Sequence, residues 1–381
     1  MNMEDVSRKT EKQTTLSTET PRPRVPSWLI VLSTIILSAL VALHTIIGFG
    51  ALPGIFPKPR PVGTESRLCA RPAIRQEWRT LSNEQKLEYI TAVQCLHRLP
   101  GISHLQGAKT RFDDFAAVHV VSAGAIHHVG HFLPWHRRFL HVHEIALREE
   151  CGFEGALPYW DWSLDVASGR SLSESPVFDP VYGFGGNGLD IADYNGSFEN
   201  HTLMVAAGWV APGAGGGCVT DGPFAEFMLS VGPGLNITDH CLSRAINDNM
   251  QKFLSPARVA ELMPLTTFEE FRIEIEGTPV TKTFRVHDGG HIAVGGDMQR
   301  FSSPNDPLFY LHHAFLDKIW WDWVGMNFSS RLEDISGPST VNPPYEDVTL
   351  DFELDMMMLA PPVTIREVLE TPNQLLCHIY E

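Results

Sequence analysis

The sequence is poor in positive charge. It has 29 lysines and arginines against 45 acidic residues, a net charge of −16. That balance argues against nucleic acid or an anionic membrane surface as the main partner. Internal repeats are missing, and so is any second linker after residue 66. Sustained apolar–polar alternation is missing too, which excludes a β-rich domain and a repeat array. Cysteine is scarce. The six are Cys69, Cys95, Cys151, Cys218, Cys241 and Cys377, with none earlier. Long uncharged apolar runs are also lacking, with one exception near the N-terminus.

That exception is WLIVLSTIILSALVALHTIIGF, Trp28 to Phe49. At about 1.5 Å per residue a helix of this length crosses a bilayer core. A buried core helix and a cleaved signal peptide are the competing readings. The expected organisation is a polar tail at 1–27, a transmembrane signal anchor at 28–50, a proline-rich linker at 51–66 and one domain at 67–381. Charge orients the span poorly, since Arg22 and Arg24 precede it while Lys58 and Arg60 follow it. Four Asn-x-Ser/Thr sequons, at Asn195, Asn200, Asn236 and Asn327, all lie after it, as do the cysteines. Glycan acceptors and an even cysteine count both suit the secretory lumen. The expectation is a single-pass membrane protein whose large domain is lumenal or extracellular, glycosylated and disulfide-bonded, with the pairing left open.

The large domain reads as mainly α with long irregular connections. Helical spacing covers Ser82 to Leu96, Phe112 to Val121, Pro134 to Glu150 and Pro307 to Val324. Two of these open on proline, which suits a first helical turn. The stretch 180–240, rich in glycine, reads as loop rather than strand. The domain is therefore expected to have a four-helix-bundle core.

Of the 17 histidines, six stand at ligand spacing. His287 and His291 are four apart, so on a helix they share one face. His313 follows within the fourth helix. His136 lies one turn into the third, with His127 nine positions before it and His119 eight before that. Two sets of three thus come from two helix pairs. Imidazole suits zinc, copper, iron and nickel, and three ligands leave a position open for substrate. The Irving–Williams order and all-nitrogen ligation favour copper. The residues alone leave dizinc hydrolysis open, although no bridging carboxylate stands in either set.

At these positions the chain resembles the tyrosinase and catechol oxidase family of dicopper proteins, its short fungal members above all. The likeness rests on HHVGHFLPWHRRFLHVHE at 127–144 and DPLFYLHHAFLD at 306–317. HDGGHIAVGGDM, SSPNDP, ECGFEGALPYWDWS and the terminal LCHIY support it, so that it covers about residues 67–381. The resemblance implies one copper on His119, His127 and His136, and a second on His287, His291 and His313. His128 rivals His127, and His104 and His97 rival His119. It also implies that Asp317, one turn after His313, supports a ligand, paired with Arg137. Phe309 would pack on the histidine cage. Arg300 and Phe301 would shape the substrate entrance, one meeting a carboxylate and the other an aromatic ring.

Departures sharpen the expectation. Ala125 stands where some relatives have a cysteine cross-linked to the second ligand, so no thioether is expected. Asp288 replaces an asparagine that in many tyrosinases helps hold a phenol-deprotonating water. It is the candidate catalytic base, and it puts monophenol hydroxylation in doubt. No C-terminal shielding domain is expected. The implied activity is O2-dependent oxidation of o-diphenols to o-quinones, with phenol or catechol and O2 as partners, in fungal pigment or secondary-metabolite formation. The alternatives are an O2 carrier of the haemocyanin type and a degenerate membrane scaffold.

Overall fold

Residues 69–191 and 215–381 are described by the computed structural model. The expected tail, anchor and linker, and the sequons Asn195 and Asn200, lie outside the described residues. Among those described, no helix is long and apolar enough to cross a membrane. They belong to one compact unit, residues 65–381.

Local chemistry sets the helix starts. Helix α1, Asn83–Arg98, is opened by a capping box: Ser82 accepts from the Gln85 N–H, and Gln85 accepts from the Ser82 N–H. Thr110 and Asp113 do the same for α2, Arg111–Ile126. Helix α3, Phe132–Cys151, begins two residues before Pro134. Proline is still tolerated there, because first-turn N–H groups have no intrahelical acceptor. Gly152 ends α3 in the left-handed conformation at φ 70°. Short helices α4, Trp162–Ser168, and α5, Pro256–Leu262, precede α6, Phe268–Glu276. Helix α7, Val286–Val294, and helix α8, Leu308–Met326, follow. A large core buries Trp78, Trp160, Trp162, Trp320 and Trp323 among them.

The region read from sequence as loop contains short strands. Gly188–Asp190 (β2) runs antiparallel to Gly216–Val219 (β3), and Met228–Leu229 (β4) pairs with His240–Cys241 (β5). Glycine, a poor strand former, is required here. A Cβ on Gly188 would lie 2.1 Å from the Gly217 carbonyl oxygen. Strands at Glu353–Leu354 (β6) and Val363–Thr364 (β7) form a third pair.

The two ends of the described domain meet. Ala73–Arg75 (β1) runs parallel to His378–Tyr380 (β8), and Cys69 is bonded to Cys377. The other bridges are Cys95–Cys151 and Cys218–Cys241, so no cysteine is free.

This junction delivers a buried ion network to the helices. Arg75 of β1 contacts Glu144 of α3 at 2.6 Å and donates to the Tyr380 hydroxyl at 2.8 Å. Tyr380 donates to one oxygen of Asp317 in α8 at 2.5 Å, and Arg137 of α3 donates to the other at 2.6 Å. Arg137 also donates to the Val368 and Leu369 carbonyls, and its guanidinium lies 3.7 Å from the Trp320 ring centroid. Burial pushes the Glu144 carboxyl up, but the Arg75 and Arg148 charges more than offset it and leave it below its ordinary value. Helices α3 and α8 are thus tied by charge as well as by packing.

Removing Asp317 would leave buried Arg137 without a carboxylate and the buried Tyr380 hydroxyl without its acceptor. Asp317→Ala is expected to cost about 3–5 kcal/mol in chemical denaturation. A loss under about 1 kcal/mol would show that this pairing does not hold α3 to α8.

Candidate metal centre

The four helices that carry the ligand histidines converge in the core. His119 lies in the middle of α2, since that helix runs five residues beyond its expected end, and His127 sits at its C-cap. His136 is on α3, His287 and His291 are on α7, and His313 is on α8. The ring nitrogens of His119, His127 and His136 gather within 4.8 Å of one another, and those of His287, His291 and His313 do likewise. The two sets interlock. The His136 and His313 rings stack with centroids 4.5 Å apart and planes 10° off parallel. His127 and His287 face each other at 6.1 Å.

Which nitrogen points inward is set by the backbone. The Nδ1 of His119 bonds the Phe301 carbonyl at 2.7 Å, that of His127 the Ala123 carbonyl at 2.9 Å, and that of His136 the Phe132 carbonyl at 2.8 Å. His287 uses the Glu276 carbonyl at 3.1 Å and His291 the Met298 carbonyl at 2.7 Å. A carbonyl only accepts, so each Nδ1 carries the proton and each Nε2 keeps a bare lone pair. His291 Nε2 then lies 3.1 Å from the Nε2 atoms of both His287 and His313. The His291 and His287 lone pairs, so close together, repel unless a cation sits between them. In the other set, Nε2 of His119 and of His136 is buried without any partner. Burial cuts the cost of keeping the rings neutral. It lowers His127 to about 4 and His291 to about 3, and puts the other four well below the ordinary histidine value. All six are ready to bind metal at neutral pH without losing a proton. Six imidazoles with no carboxylate in either set match copper better than zinc pairs.

Hydrophobic side chains seal the centre. Phe309 lies 4.2 Å from the His313 ring, 5.2 Å from His119 and 6.0 Å from His291, touching both sets. Phe132 sits 4.8 Å from both His136 and His287. Helix α7 comes close to α8 only because Gly290 has no side chain, since a Cβ there would meet His312 at 2.2 Å. His312 is not a member of either set. It donates to the His287 carbonyl and accepts from the Trp162 indole.

The histidine rivals are placed elsewhere. His128 adopts φ 62°, and its N–H donates to Glu276. His97 stacks on Phe227 instead, and His104, at φ 57°, belongs to neither set.

Two expected roles need correction. Asp288 is not free to act as a base. Its Oδ2 accepts from both the N–H and the hydroxyl of Thr278, and its Oδ1 from the Arg285 N–H. It closes the N-terminus of α7 and pins the 277–280 loop. Burial raises its carboxyl to about 7 despite those bonds. Nor does Asp317 support His313 by a hydrogen bond, because Arg137 and Tyr380 take both its oxygens. Backbone carbonyls orient the other five ligand rings. Phe301 contributes through its carbonyl on His119, beside Arg300, which is half-buried.

Glu276 is the residue that the sequence did not reveal. It accepts from the His128 N–H at 2.5 Å and from Arg272 at 2.8 Å. Its own carbonyl orients His287. Burial, partly offset by Arg272, raises its carboxyl to about 7. It ends α6 as an ordinary polar-face glutamate would, so only the tertiary contact distinguishes it.

Comparison with known proteins gives a consistent picture. Residues 109–326 match the model of the common central domain of tyrosinase. The chain is 36% identical over 375 residues to the tyrosinase-like protein phomQ1 of Diaporthe leptostromiformis, covering 93% of this chain and 88% of that one. It is 34% identical to tyrosinase P of Aspergillus terreus, covering 86% and 95%. A polyphenol oxidase from Thermothelomyces thermophila, solved as a point mutant, superposes with a TM-score of 0.72 at 32% identity, over 81% of this chain and 88% of that one.

His291 bears on the whole second set, since its lone pair meets both neighbours. His291→Ala is expected to halve bound copper per folded chain, measured by elemental analysis with circular dichroism as the fold control. Undiminished copper in the folded variant would remove His291 from the ligand set.

Proposed function

Because the chain belongs to the tyrosinase family, we propose that its reaction is the oxidation of o-diphenols to o-quinones by O2. It is a copper phenol oxidase, and its cofactor is a dinuclear copper centre. The observation that carries the finer reading is the face-to-face placement of two all-histidine sets, joined by the His136–His313 stack. His119, His127 and His136 would hold one ion, and His287, His291 and His313 the other. When bound, the copper pair supplies the two-electron exchange between catechol and O2.

The protein's own groups do the rest. The Nδ1–carbonyl bonds keep the ring lone pairs aimed at the centre, so little reorganisation accompanies loading. Phe132 and Phe309 exclude water from around the rings. A catechol brings two hydroxyl protons next to each other, so its oxidation takes protons and electrons from one ring. A monophenol must first become a phenolate. Asp288 has its oxygens committed to Thr278 and Arg285. Catechol oxidation, rather than phenol hydroxylation, is therefore the activity proposed. A role in pigment or secondary-metabolite formation is proposed from the likeness to an Emericella nidulans relative named as an N-acetyl-6-hydroxytryptophan oxidase.

The test is O2 uptake by copper-loaded protein with catechol. Two catechols should be consumed per O2, giving o-quinone and water. Reversible O2 binding without quinone would identify a carrier, and neither response would leave a scaffold.

A lumenal or extracellular location is also proposed. It rests on the pairing of all six cysteines, which the cytosol does not sustain, and on the exposure of Asn236 and Asn327. Endoglycosidase treatment of protein secreted by a fungal host should increase its gel mobility. An unchanged band would argue against this location.

A further inference from the structure

We propose that a cleft beside the metal centre, between His128 and Tyr345, is a subsite for a neutral aromatic extension of the substrate. The proposal rests on the phenol oxidase reading above and adds the class of phenol that fits. The cavity has a volume of about 420 Å³ and is lined by His128, Pro279, Val280, Val341 and Tyr345, with Glu269 and Arg272 at its floor. Cavities of about 300–1,000 Å³ hold small organic ligands.

Its walls are built from the neighbours of both histidine sets. His128 follows His127 directly, and their rings are 6.3 Å apart. Pro279 and Val280 follow Thr278, which is pinned to Asp288, and Asp288 follows His287. The opposite wall, around 338–345, is anchored where the Gly130 N–H donates to the Pro338 carbonyl at 2.8 Å, three residues past His127. The cavity thus borders the segment that carries His127 and, through the Thr278–Asp288 bonds, the start of the helix that carries His287.

The lining chooses the chemistry. Val280 is 48% exposed, Val341 37% and Tyr345 64%, so three large side chains around one cavity lack cover. A second aromatic ring would bury them and stack on Tyr345 in offset geometry. Among the described residues, an anion finds no free cation in the floor. Arg272 donates Nε and Nη2 to Glu269 and Nη1 to Glu276. A carboxylate on the extension would find this guanidinium already held by two carboxyl groups. The extension is thus apolar and uncharged, and a carboxylate reader at Arg300 would have to act elsewhere on the substrate.

The experiment uses copper-loaded full-length protein and two exposed-site variants, Tyr345→Ala and Val280→Asp. The substrates are 4-methylcatechol and 4-(2-phenylethyl)catechol. The variants should raise KM for the phenylethyl substrate about tenfold. Its kcat, and both constants for 4-methylcatechol, should be unchanged. Calorimetry with the phenylethyl dimethyl ether, which cannot be oxidised, reads the subsite without turnover, and binding should be weakened in both variants. Equal changes on both catechols, or ether binding identical in wild type and variants, would overturn the subsite. Wild-type protein inert towards both catechols would overturn the oxidase reading instead, with ether binding still deciding the subsite.

Discussion

Everything in this molecule depends on keeping unprotonated imidazole lone pairs buried and aimed at one another. Left alone, such an arrangement is costly. His287, His291 and His313 bring three Nε2 atoms to contact distance, and those of His119 and His136 have no protein partner. A buried polar atom without a hydrogen bond costs about 1–3 kcal/mol, and several occur here together. The fold tolerates this because bound metal repays it and because the rings are fixed at their far sides. Five Nδ1 atoms donate to main-chain carbonyls rather than to side chains. A carbonyl cannot titrate, so ring orientation and tautomer do not drift with pH.

The frame around the rings must then be stiff. His136 and Arg137 are adjacent on α3, and His313 and Asp317 are one turn apart on α8. The Arg137–Asp317 pair therefore sets the distance between two ligand helices without touching a ligand. Tyr380 and Arg75 close the same network from the last and first strands described, and the Cys69–Cys377 bond holds those strands together. The chain termini of the domain thus bear on the geometry of its centre. Phe309 and Phe132 fill the remaining space, and Gly290 lets α7 approach close enough for the sets to meet.

The carboxylates near the centre divide by task. Asp317 is committed to arginine and tyrosine, while Asp288 is committed to backbone and threonine donors. Glu276 joins His128, Arg272 and the His287 backbone contact. None of the three belongs to either ligand set. That separation leaves the centre with neutral protein ligands only, so the positive charge of two metal ions is not cancelled by carboxylate ligands. It also leaves the cleft beside His128 with a floor that has no spare cation.

Periodicity by itself placed the four helical stretches read from the sequence, and spacing singled out the histidines, with the choice of His127 over His128 resting on the family resemblance. A helix repeats every 3.6 residues, so His287 and His291 must share a face wherever the helix goes. The capping residues Ser82 and Thr110 are local signals as well, readable because their partners lie three positions on. Short strands among glycines were not legible, since Gly188 is chosen for the approach of Gly217, a contact with no local signature. The side-chain roles of Asp288 and Asp317 were equally hidden. A carboxylate beside a ligand in sequence has no obligation to point at it, and here stronger donors, Thr278, Arg137 and Tyr380, compete for it. Glu276 and the carbonyls that orient the rings came only with the tertiary structure. Hydrogen-bond partners far apart along the chain are chosen by packing, and one residue's identity cannot encode which distant backbone it will meet.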